Sequence, residues 1–233
     1  MIIKGLQRLT LLDFPGRVGC TVFLGGCNLR CPFCHNGGIV RGEGDDISLE
    51  DLLAFLDSRV GRLQGVCVSG GEPTLYSDLP ELLSEIKSRG FEVKLDTNGT
   101  NPELLDRLIN DGLVDYVAMD IKNSLVRYEE TAGLSSKTEA ENSKLIDNIK
   151  TSAALLMQGR VDFEFRTTLV RELQDESDMI SIGKWLAGEE KYFLQTYRDE
   201  GDLIVGGFTS YNKEETEQLL AALREYIPNA EIR

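Results

Sequence analysis

From Val18 to Gln195, short runs rich in β-branched and aromatic residues alternate with segments of helical periodicity. That alternation leaves few folds open, because parallel strands need long crossovers and helices supply them. Six units are legible, with strands at Val18 to Leu24, Gly65 to Ser69, Glu92 to Leu95, Tyr116 to Met119, Val161 to Thr167 and Tyr192 to Gln195. Several are continuous apolar runs, the pattern of a strand covered on both faces. The prediction is an α/β fold, a partial (β/α)6 barrel with parallel strands, smaller than the eight-unit kind. No fixed-period repeat, low-complexity tract or linker rich in Pro, Gly or Ser divides residues 1–233, which read as a single domain.

The helices announce their ends. Ser48 with Asp51 after it has the form of a capping box, and Pro80 and Pro102 suit a first helical turn. Gly61, Gly90 and Gly112 follow helical patterns and suit a left-handed stop. Pro102 to Asn110 and Glu215 to Tyr226 each carry apolar residues at three-to-four spacing, enough to bury one face against a sheet. Glu129 to Ser143 is polar and reads as a solvated helix surface, with a mobile loop over one face as the alternative.

Net charge narrows the partners. At −14, with no stretch rich in Lys and Arg, the chain is unsuited to nucleic acid. No apolar run approaches the roughly 20 residues of a membrane helix, and the first residues do not form a signal peptide, so the expected location is the cytoplasm. In that compartment the five cysteines are poor candidates for disulfides.

Three of those cysteines, Cys27, Cys31 and Cys34, crowd into one loop separated from the first strand by Gly25 and Gly26. Ligands of parallel α/β folds gather at the carboxyl ends of strands, where this loop lies. Three thiolates can take three corners of a cuboidal iron–sulfur cluster and leave one iron open, whereas an electron carrier usually has four. Two other readings stay open: structural zinc with His35 as fourth ligand, awkward because His35 directly follows Cys34, and reduced surface thiols. Cys20 and Cys67 fall inside strands and read as small buried hydrophobes.

The later strand ends are also distinctive. Gly70-Gly71-Glu72-Pro73 follows the second strand: the glycines permit close backbone approach, and Glu72 offers an anionic acceptor for an ammonium group. Asp96-Thr97-Asn98-Gly99 follows the third strand, and Asp120-Ile121-Lys122 the fourth. Turn chemistry accounts for Asp and Asn before Gly equally well, but a cation at a strand end suits a carboxylate ligand. Arg166 and Gln195 close the fifth and sixth strands, with a surface salt bridge and a sheet-edge hydrogen bond as their plain alternatives.

The Cys-x3-Cys-x2-Cys spacing, with Phe33 just before the third cysteine, resembles the radical S-adenosylmethionine superfamily. In that family a [4Fe-4S] cluster on the three cysteines is chelated through its open iron by the amino and carboxylate groups of S-adenosylmethionine. Electron transfer then yields methionine and a 5'-deoxyadenosyl radical. The resemblance implies that Gly70, Gly71 and Glu72 serve the methionine amino group and Lys122 its carboxylate. It puts Arg166 against the carboxylate, Gln195 against ribose or adenine, and Phe33, His35 and Asn98 around the cofactor. Asp96 and Asp120 match aspartates of pyruvate formate-lyase activating enzyme that help hold a monovalent cation.

From Leu12 through Gln195 the sequence is most similar to activating proteins of glycyl radical enzymes, and within them to the anaerobic ribonucleoside-triphosphate reductase activating type. This implies a glycyl radical enzyme as protein substrate and a flavodoxin or ferredoxin-type electron donor. Gly19 stands where a basic residue is usual, Gln195 stands where pyruvate formate-lyase activating enzyme has a histidine, and no second cysteine cluster follows. A compact small-molecule enzyme such as a 7-carboxy-7-deazaguanine synthase is the alternative within radical chemistry. A zinc or electron-transfer module without catalysis is the alternative outside it.

Overall fold

A computed structural model describes residues 1–189, 191–199 and 202–233. Its centre is one eight-stranded sheet whose spatial order follows the chain: β1 (Ile3–Thr10), β2 (Gly19–Leu24), β3 (Gly65–Gly70), β4 (Glu92–Thr97), β5 (Tyr116–Asp120), β6 (Asp162–Leu169), β7 (Tyr192–Thr196) and β8 (Glu231–Ile232). The strands from β2 to β8 are parallel, while β1 pairs antiparallel with β2. β1 and β8 lie at opposite edges, so the sheet is open. The six expected strands are present. The two edge strands escape the sequence reading because β1 has no clean alternation and β8 has only two residues.

The crossovers carry α1 (Gly37–Arg41), α2 (Leu49–Asp57), α3 (Leu79–Ser88), α4 (Pro102–Asn110), α5 (Tyr128–Ala132), α6 (Glu139–Leu156), α7 (Glu176–Trp185) and α8 (Lys213–Arg224). Ser48 caps α2 by accepting from the Asp51 amide at 3.0 Å. The polar stretch Glu129 to Ser143 is helical at 129–132 and 139–143, in keeping with the expected helix surface, but 133–138 between them is not helical, and Thr131, Ala132, Leu134 and Asn142 within the stretch are buried. No helix among the described residues is long and apolar enough to cross a membrane.

Alternate residues of each strand meet two different environments. The helix-facing set, including Val22, Val68, Leu95, Met119, Phe165 and Leu194, is apolar and fully buried. The inward set is largely polar: Ser69, Lys94, Asp96, Asp120, Glu164, Arg166 and Gln195. Coverage on both faces was expected, but not that charged groups would cover the inner one. An aromatic floor closes that side at the amino ends of the strands. Phe14 packs 6.1 Å from the Tyr116 ring, and a Cβ on Gly65 would come within 2.7 Å of Phe14. A Cβ on Gly19 would lie 2.7 Å from the Gly65 carbonyl oxygen, so the tight β2–β3 pairing there disfavours the larger residue usual at that position.

Candidate functional site

The cysteine loop is held by backbone contacts from four directions. Gly26 donates its amide to the Ile39 carbonyl at 2.9 Å, and Arg30 donates to Ala132 at 3.0 Å. Val205 donates to Pro32 at 2.9 Å and Ile204 to Cys34 at 3.2 Å. The fourth contact comes from the end of β3, where Gly71 donates to Leu24 and Glu72 to Gly26, both at 2.9 Å. This explains the glycine pair. Gly70 has a φ of +122°, and a Cβ on Gly70 or Gly71 would collide with the backbone of Leu24 or Gly26. The close approach read from the sequence is thus in part an approach to the cysteine loop itself.

Glu72 is fully buried beneath that seam. One carboxylate oxygen accepts from the Thr74 amide at 3.1 Å, the Thr74 hydroxyl at 2.5 Å and the Thr97 hydroxyl at 2.7 Å. The other accepts from the Asn98 amide at 2.7 Å. Burial raises its pKa, and these four donors oppose the rise without cancelling it. The carboxylate therefore ties the third strand end to the second. Asn98 extends the tie by donating to Asn28 at 3.0 Å, and Asn28 donates to Thr100 at 2.8 Å.

A chain of alternating charges crosses the inner face from β4 to β6. Lys94, only 1% exposed, donates to Asp96 at 2.5 Å. Arg166 lies 3.6 Å from Asp96 and binds Asp120 through Nε at 3.1 Å and Nη2 at 3.0 Å. Lys122 donates to the other oxygen of Asp120 at 3.0 Å. Burial acts to raise both aspartates, but the cations prevail. Arg166 and Lys94 hold Asp96 below the usual carboxylate range, and Lys122 and Arg166 hold Asp120 well below it. Burial likewise opposes the charges on Lys122 and Arg166, and the aspartates outweigh it and raise both.

All the predicted site residues border one cavity. Cys27, Cys31, Cys34, Phe33 and His35 form one side. Gly70, Gly71, Glu72, Asp96, Asn98, Asp120, Lys122, Arg166 and Gln195 come from the ends of β3 to β7 and the turns after them. Phe23, Ser69, Thr97 and Thr168 also line it, and of these Thr168 alone lies in no motif singled out in the sequence. Lys94, beneath the cavity, was missed too. Its signal was present, since two-residue periodicity places it on the same face of β4 as Asp96.

A protein-family model described as the radical SAM superfamily matches residues 21–152, from β2 into α6. The chain belongs to the radical SAM superfamily. It is 32% identical over 235 residues to a Methanocaldococcus jannaschii protein provisionally named a glycyl-radical enzyme activating enzyme, covering 100% of this chain and 95% of that one. A Listeria monocytogenes pyruvate formate-lyase-activating enzyme is 33% identical over 154 residues, 59% of each chain. Streptococcus suis SuiB bound to S-adenosylmethionine shares the fold at a TM-score of 0.63 and 16% identity, over 89% of this chain and 48% of SuiB. The present chain therefore spans about half the length of that neighbour.

Membership of the radical SAM superfamily implies a [4Fe-4S] cluster and S-adenosylmethionine, and the donor set of this radical SAM enzyme fits a cluster. All five cysteines are free thiols. Burial pushes the Cys31 thiol up to about 12, and burial followed by the nearby Glu72 pushes Cys27 up to about 11. Such thiols stay protonated until a metal charge compensates the thiolate. The Leu29 amide donates to the Cys27 sulfur at 3.4 Å, a contact that suits a thiolate ligand. Among the described residues no three Cys, His, Asp or Glu side chains converge tightly enough to hold a single ion.

Proposed function

We propose that Cys27, Cys31 and Cys34 hold a [4Fe-4S] cluster, that S-adenosylmethionine binds beside it, and that the enzyme installs a glycyl radical on a partner such as anaerobic ribonucleoside-triphosphate reductase. The observation that carries this reading is the single cavity bordered by the cysteine loop and by polar residues from successive strand ends. Reductive cleavage of S-adenosylmethionine supplies a radical able to take hydrogen from carbon. The protein's own task is to bind, orient and exclude water, so no side chain is required as an acid or base.

In this reading Lys122 and Arg166 meet the methionine carboxylate. The Gly70-Gly71-Glu72 turn offers the amino group its backbone carbonyls and Glu72 Oε2, the oxygen that accepts from the Asn98 amide alone. Phe33, His35, Asn98 and Gln195 border the rest of the cofactor. Full-length similarity to a glycyl-radical enzyme activating enzyme favours a protein substrate over the small-molecule alternative. The electron donor is then a flavodoxin or ferredoxin-type protein.

The test is anaerobic reconstitution with iron and sulfide, then reduction in the presence of S-adenosylmethionine. The expected products are methionine and 5'-deoxyadenosine. An intact cluster spectrum without either product would sink the cofactor reading. Mixing the reduced enzyme with a candidate partner should produce a glycyl radical signal by electron paramagnetic resonance. Product formation without that signal for any glycyl radical enzyme would return the small-molecule reading to first place.

A further inference from the structure

The resemblance to pyruvate formate-lyase activating enzyme implies a monovalent cation between Asp96 and Asp120. Such an ion needs carboxylate lone pairs free to meet it. Here every oxygen of the two aspartates already has a protein partner. Asp96 Oδ1 takes Lys94 at 2.5 Å, while Oδ2 takes Ser69 at 3.0 Å and faces Arg166 at 3.6 Å. Asp120 Oδ1 takes Arg166 at 3.1 Å and Oδ2 takes Lys122 at 3.0 Å.

Charge counting singles out one member of this set. Lys94, Arg166 and Lys122 against Asp96 and Asp120 leave one positive charge in excess, which one ligand carboxylate would balance. Glu164, in the layer below, is matched separately by Arg233 at 3.0 Å. An added cation would leave an uncompensated charge in a buried place, which is disfavoured. Without Lys94, the same set plus a ligand carboxylate would be one positive charge short, the deficit a monovalent cation fills.

We propose that Lys94 is a built-in counter-ion that replaces a bound monovalent cation beneath the S-adenosylmethionine site. Its position on β4 two residues before Asp96 delivers cation and carboxylate on one face of one strand. The ammonium is 1% exposed, and its other polar neighbour is the Cys67 sulfur at 3.8 Å. Lys94 is thus a positioning residue: it acts on the cofactor carboxylate through Asp96 and Arg166. The inference rests on the cofactor reading above.

The test measures S-adenosylmethionine affinity calorimetrically on the anaerobically reconstituted enzyme, with sodium, potassium or choline chloride at one ionic strength. Wild-type affinity should vary by less than about twofold among the salts, since a bound ion would contribute roughly tenfold, the equivalent of about 1.4 kcal/mol. Lys94→Met should bind weakly in choline and recover in sodium or potassium, while Lys94→Arg should behave as wild type. Loss of wild-type affinity in choline would overturn the proposal. So would a Lys94→Met variant that binds normally in every salt, or one whose loss no cation restores.

If Lys94→Met fails to fold, thermal unfolding of the wild-type protein decides. A cation bound to the native state raises the midpoint in sodium or potassium over choline, and the proposal expects equal midpoints. Absence of S-adenosylmethionine binding in all three salts would defeat the cofactor reading instead, and the thermal comparison would still judge Lys94.

Discussion

The two faces of this sheet are built from alternate residues of the same strands, yet they obey different energetics. On β4, Leu95 is fully buried among apolar side chains, while its neighbours Lys94 and Asp96 form an ion pair on the opposite face. The helix-facing side stabilises the fold by removing apolar area from water, about 25 cal/mol per Å². The inner side must desolvate charges, and pairing Lys94, Asp96, Arg166, Asp120 and Lys122 roughly offsets that cost without adding much stability. Strand parity thus separates residues that hold the sheet and helices together from residues that face the cavity.

Substitutions on each face can break this separation. The largest effect is expected on the cysteine loop: Cys31→Ala should abolish cluster assembly, read from iron content and visible absorbance, while circular dichroism stays native. An unfolded variant would mean that the loop also carries the fold. On the apolar face, Phe165→Ala should cost about 3–5 kcal/mol in urea titration and leave cluster assembly intact. A variant of unchanged stability would remove the assigned role of that face.

Between these extremes lies the charged face. Arg166→Met leaves Asp96 and Asp120 short of their shared cation, and breaking a buried pair in this way costs roughly 3 kcal/mol. S-adenosylmethionine affinity should fall as well, so a variant that loses stability but binds normally would confine Arg166 to a structural part. The pH response is subtler. Asp120 has a folded pKa below the unfolded value of about 3.9. Its contribution to stability is therefore present above that value and lost as pH falls from about 4 toward the lower folded pKa. Asp120→Asn should flatten the decline of stability below about pH 4, and an unchanged slope in acid unfolding would show that this pair is not ionised. The smallest effect is expected for Cys67→Ala, which should cost about 1 kcal/mol and leave the iron content unchanged. Loss of the cluster there would mean that the ligands are misassigned.

Much of this was legible from residue order. Pro102 to Asn110 is a helix over the predicted span, and the six predicted strands begin within one residue of their predicted starts. The predicted site residues meet at one cavity because each stands at or beside the carboxyl end of a strand, and parallel strands bring those ends together. Other features had no local signal. Glu72 reads as a ligand from its motif, yet its carboxylate is hydrogen-bonded to Thr74, Thr97 and the Asn98 amide, two of them on a different strand end. Gly71 reads as a turn, yet it meets the backbone of Gly26, and Ala132 in a polar stretch anchors Arg30.

Sequence by itself determined the order of strands and helices and the crowding of three cysteines in one loop, because periodicity and spacing are local properties of a chain. Tertiary structure alone decided which charges meet. The register of β5 on β6 sets Asp120 opposite Arg166, 46 positions away, and the pairing of β3 with β4 sets Ser69 within 3.0 Å of Asp96. Whether a buried lysine is a liability or a counter-ion depends on those registers, which hydrogen bonding between distant strands fixes and no single segment encodes.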